Sequence, residues 1–117
     1  MAAKDILGRR GEQLAAAYLQ EQGFEVLEQN WRCHAGELDI IAREGQHIVV
    51  VEVKTRSSLD YGHPFEALTA QKRSRLYRLA VLWCAARGVR EPFRVDAVAV
   101  LLPRFGQPSI EHLREVQ

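Results

Sequence analysis

The hydrophobic positions of the chain change period several times, and each change marks an element. Between residues 5 and 22, Leu7, Leu14, Ala15, Tyr18 and Leu19 recur at helical spacing, which predicts a helix. Asp5 stands where a cap would start it, and Gly23 where a left-handed residue would end it. "FEVLEQNWR" at 24–32 alternates and predicts a strand. "GELDIIAR" at 36–43 predicts a second, "EGQH" a turn, and "IVVVEVKTR" at 48–56 a third. Residues 57–64 form a loop. Leu76, Leu79, Ala80 and Trp83 give a helical stripe over 69–87, with Thr69 as N-cap and Gly88 just past the end. After Pro92, "FRVDAVAVLL" at 93–102 predicts another buried strand, and a short edge strand is expected around 110–113. The order is α-β-β-β-α-β. Runs this apolar do not suit a sheet with one face in water, so the expected class is α/β, a mixed β-sheet flanked by helices.

Length adds that residues 1–117 suit one compact domain, long enough to bury a core without disulfide or metal staples. No apolar run approaches the ~18 residues of a membrane span, and "MAAKDILGRR" lacks the apolar segment of a secretory signal. Cys33 and Cys84 form no CxxC pair, which points to a reducing, cytoplasmic setting. The net charge of +1 does not announce a polyanion partner. Its distribution is more informative. Lys72, Arg73, Arg75 and Arg78 crowd together and Arg9 is followed by Arg10, so a basic face is expected on a nearly neutral chain.

The third strand carries the candidate chemistry. Alternate residues share a face, so Ile48, Val50, Glu52, Lys54 and Arg56 point one way and Val49, Val51, Val53 and Thr55 the other. Charges beside a buried sheet are costly unless they are paired or bind something. Asp39 on the preceding strand meets Glu52 only in some registers. A four-residue loop, Glu44 to His47, pairs them directly. A two-residue loop, Glu44–Gly45, sets Asp39 opposite Val50 on the same face, and a three-residue loop without a bulge separates them. Two adjacent carboxylates repel, and a cation between them is the natural remedy. Oxygen ligands without a His or Cys cluster suit Mg²⁺ or Mn²⁺ rather than zinc. A lysine two residues along the same face completes a set suited to phosphodiester hydrolysis. Glu12 lies on the first helix in line with Gly8, Ala15, Ala16 and Leu19, as a candidate third carboxylate. Gly8 and Gly11 each cost that helix ~1 kcal/mol relative to alanine, which points to a close approach of backbone or phosphate.

"GRRGE" at 8–12, "NWR" at 30–32, "GELDII" at 36–41, "VEVKTR" at 51–56 and "FRVDAVAV" at 93–100 together resemble the YraN family of small bacterial proteins. That family is similar to archaeal Holliday-junction resolvases and to the PD-(D/E)xK nucleases. The resemblance spans nearly the whole chain and implies a restriction-endonuclease-like core. It implies that Asp39 and Glu52 bind metal with the Val53 carbonyl, that Lys54 is the catalytic lysine, and that Glu12 is a helix-borne acid of the site. It also matches Lys72 to a polar position able to contact phosphate. Leu38 stands where the superfamily name has proline. Two-strand cutting by resolvases implies a homodimer. The expected function is a Mg²⁺- or Mn²⁺-dependent nuclease acting on DNA, including junction-like DNA. Arg9, Arg10, Arg32, Arg56, Lys72 and Arg73 are expected to hold the phosphate backbone. The alternatives are a non-enzymatic nucleic-acid-binding module on the same fold and a protein-docking surface. Glu52–Lys54 as a plain ion pair and Lys72–Arg78 as a solvated helix face are the structural alternatives. His34 and Cys33 are too isolated for zinc, and Asp96 beside Arg94 reads as a structural pair.

Overall fold

The computed structural model describes residues 3–116, with side-chain surroundings from residue 5; residues 1, 2 and 117 of the expected domain lie outside the described residues. Helix α1 runs Ala3–Glu21 and starts two residues earlier than the sequence pattern places it. Asp5 therefore lies inside the first turn rather than capping it, where its carboxylate suits the positive end of the helix dipole. The helix stops as expected. Gly23 takes φ 94°, and the amides of Gly23 and Phe24 donate to the carbonyls of Gln20 and Leu19 at 3.1 and 2.9 Å. This double closure uses the freedom of glycine, and Phe24 packs into the same core as Leu19.

Strands β1 (Glu25–Cys33), β2 (Gly36–Glu44) and β3 (His47–Arg56) form an antiparallel meander. A short 3₁₀ turn, Pro64–Ala67, starts at the last residue of the expected loop and leads into α2 (Ala70–Arg87). Thr69 caps α2, its Oγ1 accepting from the Lys72 amide at 3.2 Å, and Gly88 at φ 66° ends it. β4 (Phe93–Leu101) then lies parallel to β3, and β5 (Ser109–Leu113) pairs antiparallel with β4. The result is a mixed five-stranded sheet in the order β1-β2-β3-β4-β5, with the expected element order.

The sheet is covered on both sides. Ala15 and Leu19 of α1 pack with Ile40, Ala42, Val49, Val51, Val98 and Val100. Leu76, Leu79, Ala80 and Trp83 of α2 pack with Ile41, Ile48, Val50, Val95 and Ala97 on the other face. This burial on two faces accounts for the continuous apolar runs of β3 and β4. Truncating a fully buried residue such as Leu19 or Leu79 to alanine would cost ~2–5 kcal/mol. Asp96 is fully buried and is satisfied by Arg94 Nε at 3.0 Å, the Glu115 amide at 3.0 Å and His112 Nε2 at 2.8 Å. It is a structural polar hub that ties the C-terminal segment to the sheet. Among the described residues, no helix is long and apolar enough to cross a membrane.

Candidate functional site

The β2–β3 hairpin closes on a two-residue turn, Gly45–Gln46, with Glu44 facing His47 and Ile40 facing Val51. Gly45 supplies the positive φ of 59° that such turns favour. This register sets Asp39 across from Glu52, the arrangement the four-residue alternative gives. Pairing nevertheless stops at Ile40. Asp39 is the one residue of β2 paired with neither neighbouring strand. Its Oδ2 instead accepts from the Val53 amide at 2.8 Å. Leu38 packs in the α2-side core and Ile40 in the α1-side core, so the alternation of faces breaks at the residue between them. On β1, Asn30 adopts a left-handed φ of 54° between the paired residues Gln29 and Trp31. The sheet thus opens at Asp39, and groups carried by both helical layers reach that opening.

Electrostatics there are severe. Burial, then a hydrogen bond to the Glu52 carboxyl and its charge, push Asp39 up to about 9, against the opposing pull of the Val53 amide. The two carboxyls in contact hold a proton between them near neutral pH. Lys54 Nζ lies 3.5 Å from Glu52 Oε2, with side chains only 20 and 16 % exposed. Burial also raises Glu12, helped by the charges of Glu37 and Glu52 and opposed by Asn30 and Arg9. With its amide oriented to satisfy both ends, Asn30 donates to Glu12 Oε2 at 3.0 Å and to Glu37 Oε1 at 3.2 Å. Gly11 explains how close α1 comes: a Cβ there would lie 1.8 Å from Thr55 Oγ1, on the strand residue after Lys54. Gly8 has no such neighbour and opens onto a groove instead.

Among the described residues, no three His, Cys, Asp or Glu side chains enclose a metal ion by themselves. The donor set still fits Mg²⁺ or Mn²⁺. These ions are commonly held by one or two carboxylates and keep several waters. Asp39 and Glu52 in contact, sharing a proton that a cation would replace, supply that pair. Glu12 stands behind them as a nearby negative charge, and Val53 lies beside Asp39 through its amide.

The expected cations separate into groups. Lys72 stands next to Lys54, whose ammonium holds it below the ordinary lysine value. Arg9 and Arg32 line a groove of about 870 Å³ with Gly8, Glu12, Asn30 and Glu37, and Arg32 Nε donates to Glu37 at 2.9 Å. Arg56 is half-buried at the end of β3 and donates to the Thr55 carbonyl at 3.0 Å. Arg10 is exposed on α1 and is not among the residues lining that groove. Arg73 faces elsewhere, beside Tyr77 and Val116. Asn30 and Glu37 belong to the site without having been expected there. Glu37 stands two residues before Asp39 in "GELDII", a spacing that carries the signal. Asn30 has a signal only once the cross-strand register is known.

Residues 11–100 match a family model described as uncharacterised protein family UPF0102. A UPF0102 protein of Arthrobacter sp. (strain FB24) is 57 % identical over 117 residues, covering 99 % of each chain. UPF0102 proteins of Pseudarthrobacter chlorophenolicus and Beutenbergia cavernae are each 52 % identical over 99 % of this chain, covering 89 and 99 % of theirs. The matched span 11–100 runs across the opening at Asp39.

Proposed function

The chain belongs to the uncharacterised protein family UPF0102, the YraN family whose motifs it carries, and from its site we propose that it is a divalent-metal-dependent nuclease. The observation that carries this reading is the contact of Asp39 with Glu52, with Lys54 alongside. The proposal includes a restriction-endonuclease-like core, DNA as substrate with junctions among the candidates, and two copies acting on two strands.

Mg²⁺ or Mn²⁺ held by Asp39, Glu52 and the Val53 carbonyl, with Glu12 nearby, would polarise the scissile phosphate and lower the pKa of a water. The chain's own groups do the rest. The Val53 amide fixes the Asp39 carboxyl. Glu52 holds Lys54 by its ammonium, leaving further N–H donors for the phosphate oxygen that gains charge. Lys72, beside Lys54, offers a second cation to the same or the adjoining phosphate. These contacts go to the backbone, which gives affinity without choice of sequence.

The test is incubation of labelled four-way junction, flap, single-stranded and duplex DNA with Mg²⁺, Mn²⁺ or EDTA, beside Asp39→Ala and Lys54→Ala. The expected result is metal-dependent cutting that both substitutions abolish. Binding without cutting by the wild-type protein would overturn the proposal in favour of a binding module. Equal cutting by all three proteins would mark a contaminant and overturn the assignment of the site.

A further inference from the structure

Helix α2 carries its cations unevenly. Lys72, Arg75 and Arg78 recur every three residues, so each lies ~4.5 Å further along the axis and ~60° around it. Lys72 begins the row beside Lys54, and Arg75 adds to the positive field that lowers Lys72. Arg75 and Arg78 then line a cleft of about 440 Å³ between α2 and the β1–β2 turn, with Gln71, Ser74 and His34. Arg73, one residue away, faces a different hollow with Tyr77 and Val116.

Among the described residues the arginines divide into those with a carboxylate partner and those without, and the cleft they line sets Arg75 and Arg78 apart from Arg73. Arg32, Arg43, Arg87, Arg94 and Arg114 each meet a carboxylate within 3.3 Å. Among the described residues, Arg75 and Arg78 meet none within ion-pair distance, and both are exposed. Lys72 sits in the like-charge field of Lys54 and Arg75, opposed by Glu52, and Arg78 extends the row one further turn. A polyanion lying along them relieves that repulsion and releases its own counterions.

We propose that the cleft between α2 and the β1–β2 turn, through Arg75, Arg78, Gln71, Ser74 and His34, carries the phosphate backbone of the nucleic acid away from the Asp39–Glu52 site. The assignment rests on the reading of that site as acting on phosphodiesters, because the row is continuous with it through Lys54 and Lys72. The amide of Gln71 and the hydroxyl of Ser74 add neutral donors, and His34 adds a donor on the opposite wall. An acidic protein would satisfy the same charges, but it would have no reason to follow the row to Lys54.

The experiment is fluorescence-anisotropy binding of a short labelled duplex DNA in EDTA across a salt series. It compares wild type, Arg75→Gln/Arg78→Gln, and Arg73→Gln as a cation lost outside the row. The expected result is at least ~10-fold weaker binding by the double variant at moderate salt. Its slope of log K against log salt should be shallower by ~1.8, since each phosphate neutralised contributes ~0.9. Arg73→Gln should stay within ~2-fold of wild type. An unchanged affinity and slope in the double variant overturns the assignment, and so does an equal loss in Arg73→Gln. The cleavage reading is scored separately. Wild type that binds with the expected slope difference but never cuts leaves the cleft standing and removes the nuclease. Cutting with an unchanged slope removes the cleft alone. Failure of wild type to bind any nucleic acid overturns both.

Discussion

Asp39 concentrates the conflict of this site in one side chain. Folded, it holds its proton up to about 9; unfolded, it releases it near ~4. The proton is therefore bound more tightly in the folded state, and the associated stability is full below ~4 and lost as pH rises toward 9. Asp39→Asn keeps an oxygen for the Val53 amide and a donor for Glu52 while removing the charge conflict. In EDTA at pH 8 it should raise Tm by at least ~3 °C, the equivalent of ~1 kcal/mol in a domain of this size. The gain should shrink toward pH 4, and the rise in Tm on adding Mg²⁺ should disappear. A lower Tm at pH 8 would show that the carboxyl is not strained. Gly11 gives a second test at this scale. Gly11→Ala forces a methyl into Thr55 and should cost ~1–3 kcal/mol in urea unfolding. Thr55→Ala should recover part of that cost, because Oγ1 and Cγ2 go while a Cβ contact of 2.8 Å remains. Additive losses would mean that α1 shifts away freely.

At the scale of the element, β1 and α2 are held by single residues at their irregular points. Asn30 tolerates the left-handed φ better than most residues and also bridges Glu12 and Glu37. Asn30→Asp preserves shape and backbone preference but replaces the bridging donor with a third carboxylate. It should destabilise the protein by ~1–3 kcal/mol at pH 8, with the loss fading toward pH 4 as the acids protonate. A penalty independent of pH would argue that the bridge is immaterial. At the start of α2, Thr69→Ala removes the oxygen that caps the Lys72 amide and should cost ~1 kcal/mol. That helix carries Lys72 back to Lys54, so its docking is part of how the cations assemble.

For the whole molecule, two sets of acids pull the stability optimum in opposite directions. Glu44 is drawn down to about 2 by hydrogen bonds from Arg114 and Arg94. Its stabilising share is present above its ordinary value of ~4.5 and lost as pH falls toward 2. Asp39 and Glu12 are raised, and theirs is lost as pH rises. Metal-free protein should therefore be most stable in mildly acid solution, near pH ~5. On the proposed reading, saturating Mg²⁺ should move the optimum toward neutrality, because a cation held there would favour the deprotonated pair. Thermal melts from pH 4 to 9 with and without Mg²⁺ measure this directly; the same optimum in both series would mean that no cation replaces the shared proton.

Much of this architecture is local in origin. Period-two apolar runs, a helical stripe over Leu76 to Trp83, and glycines at 23, 45 and 88 reflect backbone geometry and water avoidance acting over a few residues. They are legible in the chain, as are the α-β-β-β-α-β order and the shared face of Glu52 and Lys54. The start of α1 was not, because Asp5 serves as cap or as first-turn acid with equal local chemistry. The alternation rule brings Asp39 toward Glu52 but is silent on the opening between them. The broken pairing, the left-handed Asn30 and the Val53 amide turned to a carboxylate arise only when three strands are set side by side. So does the split among the cations, with Lys72 beside Lys54 and Arg73 on another surface, since helix phase fixes relative but not absolute direction. By itself the sequence determined the elements, their order and the residue types that gather at the opening beside Asp39. The tertiary structure decided which of those residues meet and how strongly they disturb one another, because burial and distance, not spacing along the chain, set the energy of charge on charge.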